Sequence, residues 1–434
     1  WTPPRVTVSS TAHQNPCPDH EMGLHAAVHC VGTNPAGEAD GWQYSSCLYR
    51  NMCLDVASDE WLLHLPERAP HSSTVAVGVL NGAWTKKDKT RLRFTPREIH
   101  GAIPSGATWA HDHPLLSAYA ARANSSGRVW LLWHSMAAHN VGHLLWDDLL
   151  PLFTLRSLFG LVDALPLQLQ LHGSPLWATC DSAASHGQIS SCDKKFSSWL
   201  PLLGLPSLPP PRTKALAGSG LLCFPWVASG MGMLSDHCDK LHGWVPKDYQ
   251  KTCNVGKGAQ YWQFRTEATH HAAAYAAATP AAAVPTPAVA SSASVQRRII
   301  FSQVSSRDQR RRINFTPYVR RARALFSTNG WRVEHANVAD LSPASQVLLA
   351  ATSAIWVTPA GGGAVTATFL PRGASLILLY AYGGKPTPRA TAVRQKNFSA
   401  FLDWDFFNHA SYLRTAWEPM QPRDSSIERI MDQV

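Results

Sequence analysis

The sequence predicts an α/β fold of two Rossmann-like halves, on three observations. Apolar runs of strand length alternate with runs of helical spacing in residues 128–223, and again in 297–380. An Ala/Pro/Ser-rich stretch of low complexity, 272–294, separates the two alternating regions. In the second region a glycine turn, Ala360-Gly361-Gly362-Gly363, stands between a strand-like run and a helix-like one, as in a β-loop-α unit. The 434 residues suffice for more than one sizeable core.

Residues 1–60 read as an irregular, cysteine-containing segment with two short strands, 28–33 and 46–54, tied by cystine bridges. Residues 61–255 form the first Rossmann-like lobe. Its strand signals are 74–80, 91–94, 129–133, 167–172 and 221–227, with a helix over 141–157. Residues 256–296 are expected to be a linker or insert, and the composition of 272–294 predicts disorder. The second lobe, 297–395, opens with a strand at 298–302 and an arginine cluster. It continues through helices at 318–328 and 344–351, strands at 331–334 and 354–358, a helix at 364–370 and a strand at 375–380. The tail, 396–434, carries Trp404, Phe406, Phe407, Tyr412 and Trp417, and is expected to pack back on the lobes.

A net charge of +10 keeps nucleic acid, acidic glycan and anionic nucleotide open as partners. Nucleic acid is disfavoured, because no helix-turn-helix, zinc-finger or RNP pattern accompanies the basic residues. None of the nine cysteines forms a CxxC pair, and no metal site is expected, although His237, Cys238 and His242 imitate ligand spacing. Cys30, Cys47 and Cys53 point instead to disulfides made in an oxidising compartment, and three sequons at Asn124, Asn314 and Asn397 agree with one. No apolar run reaches the roughly 18 residues a membrane-spanning helix needs. A chain beginning at Trp1 leaves room for a signal or membrane anchor outside it.

The chemistry concentrates in residues 139–153. Asn140 suits an N-cap, and Val141, Leu144, Leu145, Leu149 and Leu152 share an apolar face. His139, His143 and Asp147 recur every four residues on another face, and Pro151 is expected to kink the helix beside them. A histidine one turn from a carboxylate can be held in one tautomer and act as a base. The plainer alternative is a surface His–Asp pair. In the second lobe the turn Gly361–Gly363 lets a backbone approach a phosphate closely, and Arg307 and Arg310 follow the first strand, where α/β folds bind ligands.

These stretches resemble one family. His139-Asn140-x-x-His143-x-x-x-Asp147-Asp148-x-x-Pro151 looks like the N-x-x-H-x-x-x-D signature of the family 61 glycosyltransferases. Phe369-Leu370-Pro371-Arg372-Gly373-Ala374 is similar to that family's segment after its His-Gly-Ala turn. The likeness is strongest to the protein O-mannose N-acetylglucosaminyltransferase branch. It runs through most of residues 28–385, densely in 139–156 and 296–380.

The resemblance implies a GT-B fold, two lobes facing a cleft, and inverting transfer from a UDP-sugar to a glycoprotein or polysaccharide acceptor. The first guess for the sugar is GlcNAc, then xylose or arabinose. It also implies an ER or Golgi lumen and no obligatory metal or other cofactor. Under it His143 is the base or an acceptor ligand, and Asp147 orients it. Arg307, Arg310, Asn314 and Gly361, Gly362 and Gly363 hold the nucleotide sugar, and His139, Asn140 and Asp148 serve the acceptor or support the site. The match to Asn314 weakens its reading as a glycosylation site. The chain departs from the pattern at Ala360, where relatives carry histidine, and at Gln303 and Ser135, near where they carry arginine. The other reading is an inactive member that binds glycan or nucleotide.

Overall fold

The structure is a computed structural model that describes residues 25–31, 45–67, 77–78, 93–135, 138–161, 163–169, 180, 186–216, 220–230, 257–278, 296–303, 313–381, 406–420 and 430–432. It is a mixed α/β fold with two main sheets and three disulfides.

Up to residue 230 the described residues form ten strands: β1 (Ala27–Val31), β2 (Ser46–Asp55), β3 (Glu60–Leu65), β4 (Val77–Gly78), β5 (Arg93–Phe94), β6 (Arg97–His100), β7 (Thr108–Trp109), β8 (Val129–Trp133), β9 (Leu165–Gln168) and β10 (Leu221–Gly230). Eight of them form one sheet in the order β6-β3-β2-β10-β8-β9, with β1 added on β2 and β7 on β10. Strands β8, β9 and β10 are parallel, while β2 runs antiparallel to β1, β3 and β10. Of the expected strands at 74–80 and 91–94, the described residues are β4 and β5, which pair with each other in a separate ribbon; the rest lie outside the described residues.

The domain boundary expected at residue 60 falls between β2 and β3, which are neighbours in one sheet. The cysteine-containing segment is therefore part of that sheet, and β2 stands near its middle. Cys30–Cys47 staples β1 to β2, and Cys53–Cys223 staples β2 to β10 at residues that face each other in register. Aromatic packing reinforces the join: Trp61, Phe94, Trp130 and Phe224 are all buried and meet at ring distances of 5.3–6.3 Å.

Five strands form the second sheet: β11 (Gln296–Gln303), β12 (Arg332–Asn337), β13 (Ser353–Pro359), β14 (Ser375–Ala381) and β15 (Arg414–Met420). They are parallel throughout, in the order β12-β11-β13-β14-β15. In chain order that is 2-1-3-4-5, a doubly wound arrangement whose direction reverses between β11 and β13. Ile299, Ile300, Phe301, Trp356, Val357, Leu376, Ile377 and Leu378 are buried, as expected of parallel strands covered on both faces. The aromatic tail contributes β15 to this sheet, and Phe406, Phe407 and Tyr412 are buried; Trp404 lies outside the described residues.

The helices are α1 (Pro114–Arg122), α2 (Val141–His143), α3 (Leu150–Leu158), α4 (His186–Trp199), α5 (Gly258–Ala278), α6 (Thr316–Phe326) and α7 (Pro343–Ala351). Helix α5 corrects the expectation that 272–294 begins as a disordered insert. It runs on to Ala278 and buries Tyr261, Phe264, Ala268 and Ala272 on one stripe. The alanine run that looks like low complexity is also the strongest helix-forming composition, and a shallow alanine face lets α5 pack closely on α7. Residues 279–295 lie outside the described residues. Among the described residues no helix is long and apolar enough to cross a membrane.

Candidate active site

Residues 140–158 form one composite helix, and its irregular middle shapes the site. Asn140 has extended backbone, and its side chain accepts the Gly142 N–H at 3.0 Å, the N-cap read from the sequence. After α2 the helix widens into a π turn, Leu144–Leu149, in which Leu150 donates to the carbonyl of Leu145 five residues back. A π turn, rather than a simple kink at Pro151, therefore precedes the proline, which sits in the first turn of α3, where its missing N–H costs little. All six residues of the π turn are buried, so Asp147 and Asp148 both lie inside the protein. Leu144, Leu145, Leu149 and Leu152 are core as expected, and Val141 is half-buried.

His143 Nδ1 lies 2.6 Å from Asp147 Oδ2, with the histidine side chain 20% exposed and the aspartate 2%. In the neutral tautomer that donates from Nδ1 to the Asp147 carboxylate, Nε2 carries the lone pair. Asp148 faces the other way: Trp133 Nε1–H donates to its Oδ1 at 3.1 Å and the Ser135 hydroxyl to its Oδ2 at 2.9 Å. Burial raises the Asp148 carboxyl to about 8, against the lowering effect of those two bonds. Asp148 is thus held by the end of β8, and its neighbour orients the histidine.

The glycine turn belongs to the same place. Gly362 lies so close to the start of α2 that a methyl group there would come 2.6 Å from Asn140 Oδ1. A methyl on Gly142 would come 2.9 Å from the Cα of Gly362. The two stretches singled out in sequence, 220 residues apart by position, therefore touch backbone to backbone. Gly361 takes φ +128°, which an L side chain rarely adopts. The helix expected at 364–370 is a six-residue 3₁₀ helix, Ala364–Phe369, buried throughout. So short an element has little dipole, and any anion binding here falls to the turn's own N–H groups and to cations. Trp146 ties the halves further: its Nε1–H donates to Thr368 Oγ1 at 3.4 Å, and its ring stacks on Phe406 at 4.2 Å.

Topology explains the meeting. The glycine turn leaves the carboxyl end of β13, and residues 304–312 follow the carboxyl end of β11, on either side of the point where the strand order reverses. Loops at such a point diverge and leave a crevice. Arg307 and Arg310 are in 304–312 and lie outside the described residues. Asn314 is exposed just before α6, where its Oδ1 accepts the Thr316 N–H at 3.1 Å and turns the chain into the helix. Gln303 ends β11, half-buried, and the Ala360 methyl is buried with its N–H bonded to the Leu379 carbonyl.

His139 stands one turn before His143, within 4.8 Å of the sulfurs of Cys180 and Cys192. Those sulfurs are joined in a disulfide, which removes the thiolates a metal would need. His237, Cys238 and His242 lie outside the described residues. Sequence reasoning missed Trp133 and Trp146 as contributors; the available signal was their position at a strand end and beside the paired aspartates. No known protein-family profile matches the chain, and no curated protein matches it closely enough to place it in a family.

Proposed function

We propose that the protein is an inverting glycosyltransferase of the kind its sequence resembles, using a UDP-sugar and a glycoprotein or polysaccharide acceptor. In this reading the two sheets serve as the acceptor and donor halves of a GT-B arrangement. The observation that carries it is the contact between the His143 helix start and the Gly361–Gly363 turn at the carboxyl edge of the parallel sheet. A base supported by a buried carboxylate and a backbone suited to phosphate then stand side by side.

His143 Nε2 takes the proton of the acceptor hydroxyl as that oxygen attacks the anomeric carbon. The bond from that carbon to the diphosphate breaks on the opposite face, and the configuration inverts. Asp147, 2.6 Å from Nδ1, stabilises the imidazolium that forms. The leaving diphosphate takes both bonding electrons, and Arg307, Arg310 and the N–H groups of the turn stabilise its charge. GlcNAc is the first donor to test, then xylose and arabinose. The resemblance puts this reaction in the ER or Golgi lumen, and the three disulfides agree with an oxidising compartment.

One observation favours a second reading. Relatives carry histidine where this chain buries the methyl of Ala360, and that loss suits an inactive protein that keeps the crevice for binding. UDP release from a panel of UDP-sugars, with and without glycan acceptors, separates the two. Release with one donor, enhanced by acceptor, is expected. Silence across the panel from folded protein would leave only binding.

A further inference from the structure

One open pocket at the described surface lies away from the glycine turn. It has a volume of about 550 Å³ and sits between the first turns of α5, the bend at Arg372–Gly373 and the segment leading into β15. Because the second sheet is parallel, the residues just before β14 and β15 lie at its amino edge, whereas the glycine turn leaves its carboxyl edge. Strands of seven residues, at about 3.3 Å each, put roughly 20 Å between the two places.

The lining is specific in chemistry. Arg372 and Arg414 are exposed guanidinium groups, Gln263 and Ser411 offer an amide and a hydroxyl, and among the described residues no carboxylate lines the pocket. The Arg372 guanidinium lies 5.2 Å from the centre of the Trp262 ring, which limits its motion before any ligand arrives. A second arginine, Arg265, lies 4.9 Å from the same ring, but it is spent on the carbonyl of Phe369 at 3.1 Å. The walls are fixed by backbone bonds: Gly373 N–H to the Tyr412 carbonyl at 2.8 Å, and Arg414 N–H to the Ala374 carbonyl at 2.9 Å. A side chain on Gly258 would collide with Ser411, so the glycine lets α5 close the pocket's floor.

We infer that this pocket binds an acidic saccharide, through carboxylate or sulfate groups on Arg372 and Arg414 and hydroxyls on Gln263 and Ser411. Its volume suits two or three sugar rings, within the range of ordinary ligand sites. Two guanidinium forks, with no competing carboxylate among the described lining residues, favour an oxyanion, and the amide and hydroxyl beside them suit a ligand rich in hydroxyls. The site does not depend on transfer in the crevice, so either can fail without the other.

The test is calorimetric titration of the full chain with trigalacturonate and with a chondroitin sulfate tetrasaccharide, against neutral maltotriose and inorganic sulfate. Binding of at least one acidic oligosaccharide, at least tenfold tighter than maltotriose and weakened by added salt, is expected. Arg372→Ala and Arg414→Ala should each weaken it about tenfold or more while leaving UDP-sugar turnover and the circular dichroism spectrum unchanged. Binding of trigalacturonate, which carries no sulfate, shows that carboxylates suffice. Equal affinity for maltotriose, inorganic sulfate binding as tightly as the oligosaccharides, or unaltered affinity in both variants would overturn the assignment.

Discussion

The eight-stranded sheet mixes parallel and antiparallel pairs and carries two disulfides between neighbouring strands. The five-stranded sheet is parallel throughout and, among the described residues, carries none. The difference follows from where their strands come from. In the second sheet β11 to β14 follow one another through short helices, so most pairings form within local units. In the first, β2 must find β10 across 170 residues, a pairing with a large loop entropy to overcome. The candidate site draws one contribution from each: a hydrogen-bonded histidine–aspartate pair beside β8, and a glycine turn after β13 whose place is set by topology.

The largest effect that would sharpen this contrast concerns the disulfides. On loop-closure grounds, removing Cys53–Cys223 by paired serine substitutions should cost roughly 5 kcal/mol, and removing Cys30–Cys47, which closes a separation of 17, roughly 3 kcal/mol. Urea unfolding measures both. Equal losses would mean that local packing, and not loop length, sets the need for staples.

Next comes the histidine–aspartate half of the site. His143→Ala should lower turnover on the order of 100-fold or more while sparing the fold. Turnover like that of the parent chain would return the His143–Asp147 pair to a structural role.

A third effect is in pH dependence. Burial pushes the folded Asp148 carboxyl up to about 8 from its ordinary 3.8, so between those values the folded protein keeps a proton that the unfolded chain has released. Stability should therefore decline as pH rises from about 4 to about 8. Asp148→Asn should flatten that decline, read as urea midpoints across the range. An unchanged slope would show that another group carries it.

Much of the second sheet was legible because its strands are buried on both faces and read as continuous apolar runs; β11, β13 and β14 fall within two residues of expectation. Helix α7 was legible too, flanked by the capping Ser342. What escaped depended on partners distant in sequence. The central place of β2 is set by β10, and the strand character of 414–420 appears only against β14. Helix α5 was misread because alanine-rich composition serves a packed helix and an unstructured linker alike. At the site, the four-residue spacing gave the His143–Asp147 pair. The π turn that buries Asp148 has no signature in residue spacing, and the contact of Gly142 with Gly362 needs the folded chain.

The staple between β2 and β10 also sets an order of events while the protein is being made. At roughly 5–20 residues per second, a ribosome needs on the order of ten to thirty seconds to deliver Cys223 after Cys53. Throughout that interval Cys30 and Cys47 are already available, and Cys53 has no correct partner. A mispaired cystine made in that window must be undone before β10 can enter the sheet, so production of the folded protein should depend on a thiol-exchange catalyst.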